Sequence, residues 1–215
     1  MPYETPFPRI TLRRRWRPNR TAARAWGRAS GLALGAALVS VAGIAAQSQG
    51  ARPTADPADV SSIGAIITAV YDVISGDAGE ARDWDRWHSL FAPGASLSAI
   101  TRASDGSIGR VIMTPASWVE RSGAILERDG FVEAEIGRIT EQYGLIAHAF
   151  STYESYRGRS DAVPFARGIN SFQLMTDGER WWVVSVFWQQ ESEAFPIPAR
   201  YLETGARLKR AIDAV

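Results

Sequence analysis

The sequence predicts an α+β fold in which three N-terminal helices pack against a curved, mostly antiparallel sheet of about six strands. Two observations predict it. Apolar residues recur at helical spacing in three segments before residue 130, and beyond that point long β segments follow one another with only short turns between them. Helices do not alternate with strands there, so a parallel βαβ architecture is not expected.

The first helix is expected to follow a Pro-rich linker at 51–58 and to begin at Asp59 or Ser61. Its apolar face continues to about Ser75, where a Gly-rich run ends it. A short second helix occupies 83–91 and stops before Pro93-Gly94. Thr114-Pro115 opens the third helix, whose buried side includes Trp118.

Alternating apolar residues and turn signals predict the strands. Two of them, 95–102 and 108–114, form a hairpin around Asp105-Gly106, and four longer segments follow at 131–141, 145–157, 165–176 and 180–191. A C-terminal tail at 196–215 is expected to end in a short amphipathic helix carrying Leu202, Leu208 and Ile212 on one side.

The N-terminal segment 1–50 has a composition of its own. Residues 1–28 contain eight of the 24 basic residues and one of the 23 acidic ones, a net charge of +7, which leaves −6 for the rest. An uncharged stretch at 29–51 follows, with an apolar centre and small residues after it, as in a cleaved export signal. The stretch could also span a bilayer as an uncleaved anchor, although its short apolar centre favours cleavage. We therefore expect a periplasmic or secreted domain, or a membrane-anchored one outside the cytoplasm.

Composition excludes several classes of chemistry. The chain has no cysteine and only two histidines, so thiolate chemistry, disulfides and a three-histidine zinc site are unavailable. Its single lysine, Lys209, lies in the tail, and it has neither a P-loop nor a dinucleotide fingerprint. We expect no cofactor and no metal. A body with a net charge of −6 is also a poor ligand for phosphate backbones, so we expect no nucleic-acid partner.

The order of elements, with LFAPGA after the short helix and DGERWWVVSVFW in the last hairpin, resembles the nuclear transport factor 2-like superfamily. That superfamily includes ketosteroid isomerases and SnoaL-type polyketide cyclases, and the resemblance covers about residues 56–195. It implies a domain at 59–195 with a cone-shaped barrel, in which the curved sheet wraps the first helix and leaves a pocket at the open end. It does not imply one activity, because function depends on the site and not on the fold.

The ketosteroid isomerases supply a template for the site. Their oxyanion-donating tyrosine corresponds to Tyr71, and their second oxyanion donor aligns with Asn170. The position of their general base is Ala99, which cannot accept a proton. The resemblance therefore implies two groups that could polarise a carbonyl oxygen, without the base that completes an isomerase.

His148 and Glu154 are further candidates on one predicted strand. His148 has the residue type that polyketide cyclases and dehydratases of this superfamily use as an acid or base. The alternative is a histidine on the outer face of the sheet, since alternation alone does not say which face points inward. Glu154 could line the pocket, but carboxylates at strand ends are more often solvated or paired with arginine.

Aromatic side chains could line an apolar pocket, the candidates being Trp118, Phe172 and Trp188. Aromatics at these spacings are more often plain core. The first hypothesis is accordingly a domain that binds a small apolar or aromatic molecule. The alternatives are a lyase or isomerase acting through His148, and a homodimeric interaction module using an outward tryptophan of the pair at 181–182.

Overall fold

A computed structural model describes residues 52–103 and 105–202. The expected export segment and the tail residues Leu208 and Ile212 lie outside this part of the chain. Among the described residues, none of the helices combines the length and the apolar character needed to cross a membrane.

The described residues form four α-helices where the sequence predicts three. They are α1 (Pro57–Val60), α2 (Ile63–Ile74), α3 (Trp84–Leu90) and α4 (Pro115–Asp129), and a short 3-10 turn follows at Ala199–Tyr201. The expected first helix is divided because Ser62 is extended and its hydroxyl accepts a hydrogen bond from the backbone of Ala65, so that α2 starts anew. Thr114 and Ser117 cap α4 reciprocally, as the Thr-Pro signal indicates.

All six expected strands are present, in the order β2-β1-β6-β5-β4-β3. Their bounds are β1 Phe91–Arg102, β2 Ile108–Met113, β3 Val132–Tyr143, β4 Ile146–Tyr156, β5 Ala166–Thr176 and β6 Trp181–Gln190. Every neighbouring pair is antiparallel except β1 and β6, which are parallel, so the sheet is mixed. β2 and β3 remain as edges and the sheet does not close into a barrel.

One boundary differs clearly from its prediction. The second helix ends at Leu90, and β1 begins at once at Phe91 and continues through Pro93-Gly94. The register between β1 and β6 shifts between Phe91 and Ser96. An irregularity of this kind accommodates a proline without loss of a ladder hydrogen bond, which is why Pro93-Gly94 interrupts the pairing and not the strand.

One face of the sheet, here called the inner face, packs against the helices. Phe172, Leu174 and Val183 are buried there beneath Ile66 and Ile67 of α2. A second part of the same core is aromatic. Trp87 stacks on Trp118 with ring centroids 4.7 Å apart and lies 4.5 Å from Phe91, and its indole N–H donates to the carbonyl of Pro115. These contacts join α3, α4 and β1.

Arg82 joins the ends of the helices. Its guanidinium is buried and donates to the carbonyl oxygens of Ile74 (3.1 Å), the last residue of α2, and of Gly76 (2.6 Å), two residues further on. It also approaches the carbonyl of Leu126 near the end of α4. Helix C-termini leave carbonyl groups without intrahelical partners, and here a buried side chain supplies a donor to the last carbonyl of α2.

Gly130 ends α4 with φ +75° and ψ 142°, a conformation that L-residues rarely adopt. A Cβ there would also collide with the backbone carbonyl of Arg157. We expect Gly130→Ala to lower the free energy of unfolding by more than about 3 kcal/mol in urea titrations. Gly94 has a similar φ of +77° but open space around it, so Gly94→Ala should cost only about 1 kcal/mol of backbone strain. If both variants lost the same free energy of unfolding, the collision with Arg157 would not be the cause.

Candidate functional site

The hydroxyl group of Tyr71 is the centre of a polar cluster inside the protein. Tyr71 lies one turn before the end of α2 and is almost completely buried. Its oxygen lies 2.6 Å from Oγ of Ser151 on β4 and accepts a hydrogen bond from Nδ2 of Asn170 on β5 (3.1 Å). The ring of Phe172 meets it edge to face, with centroids 6.1 Å apart. The hydroxyl is therefore fixed by two strands at once.

Glu133 completes the cluster from β3. Its Oε1 accepts from Nδ2 of Asn170 (3.1 Å), and its Oε2 accepts from the hydroxyl of Ser155 (3.0 Å). The backbone N–H of Glu133 donates to Oγ of Ser75, the residue that ends α2. Both the position and the orientation of this carboxyl group are thus set by β4, β5 and the helix end.

The environment of Glu133 favours its neutral form. Burial raises the pKa of Glu133 to about 7, and the hydrogen bonds from Asn170 and Ser155 offset only part of that effect. The residue as a whole keeps an intermediate solvent exposure. A carboxyl group that is half protonated near neutral pH can both accept and donate a proton.

A second carboxyl group near the cluster has a cationic partner. Glu135 forms an ion pair with Arg138 and accepts a hydrogen bond from the hydroxyl of Ser151 (2.5 Å). In the described part of the chain, Glu133 has no such partner, since its contacts are an amide and a hydroxyl group. Glu133 is consequently the carboxyl group of this cluster whose charge the protein does not neutralise.

Tyr71 itself acts as a neutral group. Burial, followed by the proximity of Glu133, raises the pKa of Tyr71 well above its ordinary value, so the phenol keeps its proton under all ordinary conditions. The two amide hydrogens of Asn170 are directed at Tyr71 and Glu133. These donors therefore have their partners within the cluster, and Glu133 is its carboxyl group without a cationic partner. Nowhere in the described ranges do three His, Asp or Glu side chains come together as metal ligands would.

The structure brings together several residues that the sequence analysis selected. Tyr71 and Asn170 are in direct contact, and Phe172 packs on Tyr71 as buried core. Trp188 is directly opposite Asn170 on β6, and Ala99 is opposite Trp188 on β1. Opposite residues of paired strands share a face of the sheet, so Ala99, in the position of the missing base, also lies on the inner face.

Other candidates lie elsewhere. Trp118 belongs to the aromatic core around Trp87 and Trp84 and does not contact the polar cluster. His148 and Glu154 occupy the even-numbered positions of β4, which face outward, whereas Ser151 and Ser155 face inward. Their expected place in the pocket is thus corrected by the alternation of the strand.

On the outer face each of these two residues has its own polar neighbour. Nε2 of His148 lies 3.6 Å from the carboxylate of Glu141. Glu154 accepts a hydrogen bond from the hydroxyl of Tyr156 (2.7 Å) and lies 3.9 Å from Arg167. Such partly exposed pairs are common on sheet surfaces and contribute little to stability. The outer face accounts for both residues without a catalytic role.

The sequence analysis did not select Glu133. One signal was present, because Glu133 and Glu135 stand two residues apart and therefore on one face of a predicted strand. Carboxylates on an edge strand ordinarily face solvent, so the pattern alone predicts the opposite orientation. The inward orientation depends on pairing with Ser155 and Tyr153 of β4, and sequence periodicity does not contain that register.

No protein-family model matches the chain, and no curated protein matches it either. Solved structures with a similar chain path exist. One is a protein of unknown function with a cystatin-like fold from Nostoc punctiforme, at 13% identity, with 61% of this chain and 90% of that chain covered and a TM-score of 0.46. Another is a protein of unknown function from Shewanella baltica described as NTF2-like, at 12% identity, with 60% and 90% covered and a TM-score of 0.38. A third is a hypothetical protein from Catenulispora acidiphila with a ketosteroid isomerase-like fold, in complex with trimethylamine. It is 16% identical, with 65% of this chain and 92% of that chain covered and a TM-score of 0.35.

The pKa of Glu133 makes stability depend on pH. In the unfolded chain this carboxyl group loses its proton near pH 4.5, and in the fold near pH 7. Between these values the unfolded state binds fewer protons, so stability falls as pH rises and levels off above about 7. The loss is about 3 kcal/mol. We expect Glu133→Gln to remove it, so that the variant becomes more stable than the wild type at pH 8.

Urea titrations of both proteins between pH 4.5 and 8.5 measure this difference. Glu154→Gln, on the outer face, is the matched control and should retain the wild-type slope. A Glu133→Gln variant whose stability changes with pH as the wild type's does would show that the carboxyl group is not held in its neutral form.

Proposed function

We propose that this domain binds a small, largely apolar molecule at the cluster of Tyr71, Asn170 and Glu133. The observation that carries the proposal is Glu133, whose carboxyl group faces the interior without a cationic partner. Burial of such a group costs stability, and proteins usually keep costly polar groups where a ligand or a reaction uses them. The resemblance of the sequence to the nuclear transport factor 2-like cone, whose curved sheet leaves a pocket at its open end, supports the proposal.

The chemistry of the cluster selects the ligand. The hydroxyl of Tyr71 and the amide of Asn170 bond to each other here, and a polar group of the ligand would enter between them and take up these hydrogen bonds. The rings of Phe172 and Trp188 provide apolar contact on the same face. Glu133 and Glu135 disfavour an anion at this place. The ligand class that fits best is a neutral apolar or aromatic molecule with a single carbonyl or hydroxyl group.

Binding can be tested by thermal shift and calorimetry with neutral steroids and terpenoids, and with aromatic acids as the charged comparison. We expect at least one neutral compound to raise the melting temperature, because a ligand that binds only the folded state stabilises it. Asn170→Ala should weaken binding about tenfold or more, through the loss of one hydrogen bond. Gln173→Ala, an exposed position on the outer side of the same strand, is the control and should bind normally. Equal binding by both variants, or no binding by any compound, would refute the proposal.

A second candidate function is catalysis of proton transfer to or from the bound molecule, and the presence of Glu133 supports it. Its protonation state near pH 7 suits a general base beside the hydroxyl of Tyr71 and the amide of Asn170. The corresponding mechanism through His148 is not proposed, since that side chain lies on the outer face. If Glu133 transfers protons, Glu133→Gln should keep ligand affinity within a few fold while abolishing turnover or solvent-deuterium exchange into the ligand. Exchange that persists in Glu133→Gln would eliminate this function.

We also propose that the domain works outside the cytoplasm. The support is the charge pattern of residues 1–50, a basic head followed by an apolar stretch. Mass spectrometry of the protein recovered from fractionated cells tests it. A shortened chain in the periplasm or medium indicates a cleaved signal, a full-length chain in the membrane fraction indicates an anchor, and a full-length cytoplasmic chain refutes export.

A further inference from the structure

The turn between β3 and β4 is apolar and exposed. Tyr143 ends β3, Ile146 begins β4, and Gly144 and Leu145 form the turn between them. The exposed fractions are 86% for Tyr143, 62% for Leu145 and 61% for Ile146. The turn is nevertheless fixed, since the carbonyl of Leu145 accepts a hydrogen bond from the backbone N–H of Thr176 (2.9 Å). Turns that face water are ordinarily polar, so three exposed apolar side chains at one turn indicate contact with another apolar phase.

Tyr143, Leu145 and Ile146, here called the tip, continue into an apolar row at the same end of the sheet. The strand registers place Ile146 opposite Met175 and Met175 opposite Trp182. Opposite residues of paired strands share a face, so the row leads from β3 across β4 and β5 to β6. Met175 is exposed and Trp182 is half-buried. The apolar surface therefore extends from the tip along the whole of this end.

The chain enters the described domain at the far end of this row. The guanidinium of Arg52 lies over the ring of Trp182 (5.8 Å) and donates to the carbonyl of Phe91, where β1 begins. In the sequence, the uncharged stretch 29–51 directly precedes Arg52. Trp182 and the tip are three strand spacings apart, about 14 Å. The segment that follows the uncharged stretch thus joins the domain at the end of the sheet that carries the tip.

We propose that the tip inserts into the surface of a lipid bilayer and holds this end of the sheet against it. Side chains at a protruding turn offer little area to a second folded protein, whereas lipid can surround them from all sides. Leu145 stands about 3 Å beyond Tyr143 and Ile146 along the strands. Insertion by about 5 Å therefore buries all three, a depth typical of elements that lie in the headgroup region. Tyrosine and tryptophan suit this region because their rings are apolar and carry a polar end.

The charges beside the row nearly cancel. Within three residues of the row along its strands lie Arg180 and three carboxylates, and Arg52 adds a second cation; the carboxylates are Glu141, Asp177 and Glu179. Attraction to anionic lipid requires clustered basic residues, which this end does not have among the described residues. The apolar side chains of the tip supply the binding, so a bilayer of zwitterionic lipid is the partner that fits.

This inference extends the proposed location outside the cytoplasm by naming a bilayer surface as the place of the domain. If residues 29–51 remain as an anchor, the tip is a second attachment and fixes the orientation of the sheet. If they are cleaved, the tip attaches the domain alone and reversibly. The tip contacts lipid in both cases. Fractionation that refutes export leaves the lipid contact to be tested separately with vesicles.

The absence of cysteine from the chain allows one fluorescent label per variant. Leu145→Cys and Val163→Cys, each labelled with an environment-sensitive dye, are compared in the purified chain, whose N-terminus is defined by mass spectrometry, with phosphatidylcholine vesicles. Val163 is the matched control, because it is 78% exposed and lies in the loop between β4 and β5 at the opposite end of the sheet. We expect a blue shift of the emission and quenching by brominated lipid at Leu145 alone, with little change when phosphatidylglycerol is added. No shift at Leu145, or equal shifts at both positions, overturns the proposal.

Substitutions at the tip separate lipid from other occupants. A label at Tyr143→Cys should lose most of its lipid quenching when Leu145→Glu is added, and should keep it when Val163→Glu is added. Circular dichroism checks that each variant folds. A tip label that is already shielded before vesicles are added would show that protein covers the tip, which overturns the proposal. Asn170→Ala should leave the tip signals unchanged, so this proposal and the proposed ligand site fail independently.

Discussion

The contact between the hydroxyl of Tyr71 and the side chains of Ser151 and Asn170 fixes the helix layer on the sheet. Apolar packing alone holds two layers together without defining how they are rotated or shifted, because it is non-directional. Hydrogen bonds in a buried place are directional and costly to leave unmade. They set α2 over β4 and β5, and Glu133 then occupies the remaining side of the same cluster. The hydrogen bonds that position the helix thus also form the candidate site.

Most of the fold follows from local patterns in the sequence. The β segments from residue 131 onward are present within a few residues of their predicted bounds because alternating side chains and glycine turns determine them locally. The parallel pairing of β1 with β6 depends on contacts between distant segments. The first helix is divided by the cap at Ser62. Strand β1 continues through Pro93-Gly94 because its register with β6 shifts there. Neither feature has a separate signal in the sequence pattern.

The candidate site could be predicted only in part. Tyr71 and Asn170 were found through a family resemblance, and the structure places them in contact. The sequence left open on which face of the sheet His148 lies, and it did not single out Glu133, since period-2 alternation defines two faces without naming the inner one. The inner face is decided by where α2 packs, and that is a tertiary property. Residue type alone favours histidine as an acid or base near neutral pH. In this fold, burial raises the pKa of Glu133 to about 7, so a glutamate titrates in that range.

The parallel pairing of β1 with β6 has a consequence for folding. These strands join positions that are about 90 residues apart, and β1 cannot enter the sheet until the last strand is present. Pairing between distant segments is slow because the intervening chain must first be ordered. The helices and the β3–β4 hairpin can form early, but the two halves of the core meet only when the chain is nearly complete. During synthesis the complete sheet can therefore assemble only after β6 has left the ribosome, and until then the apolar side chains of β1 lack their partner strand.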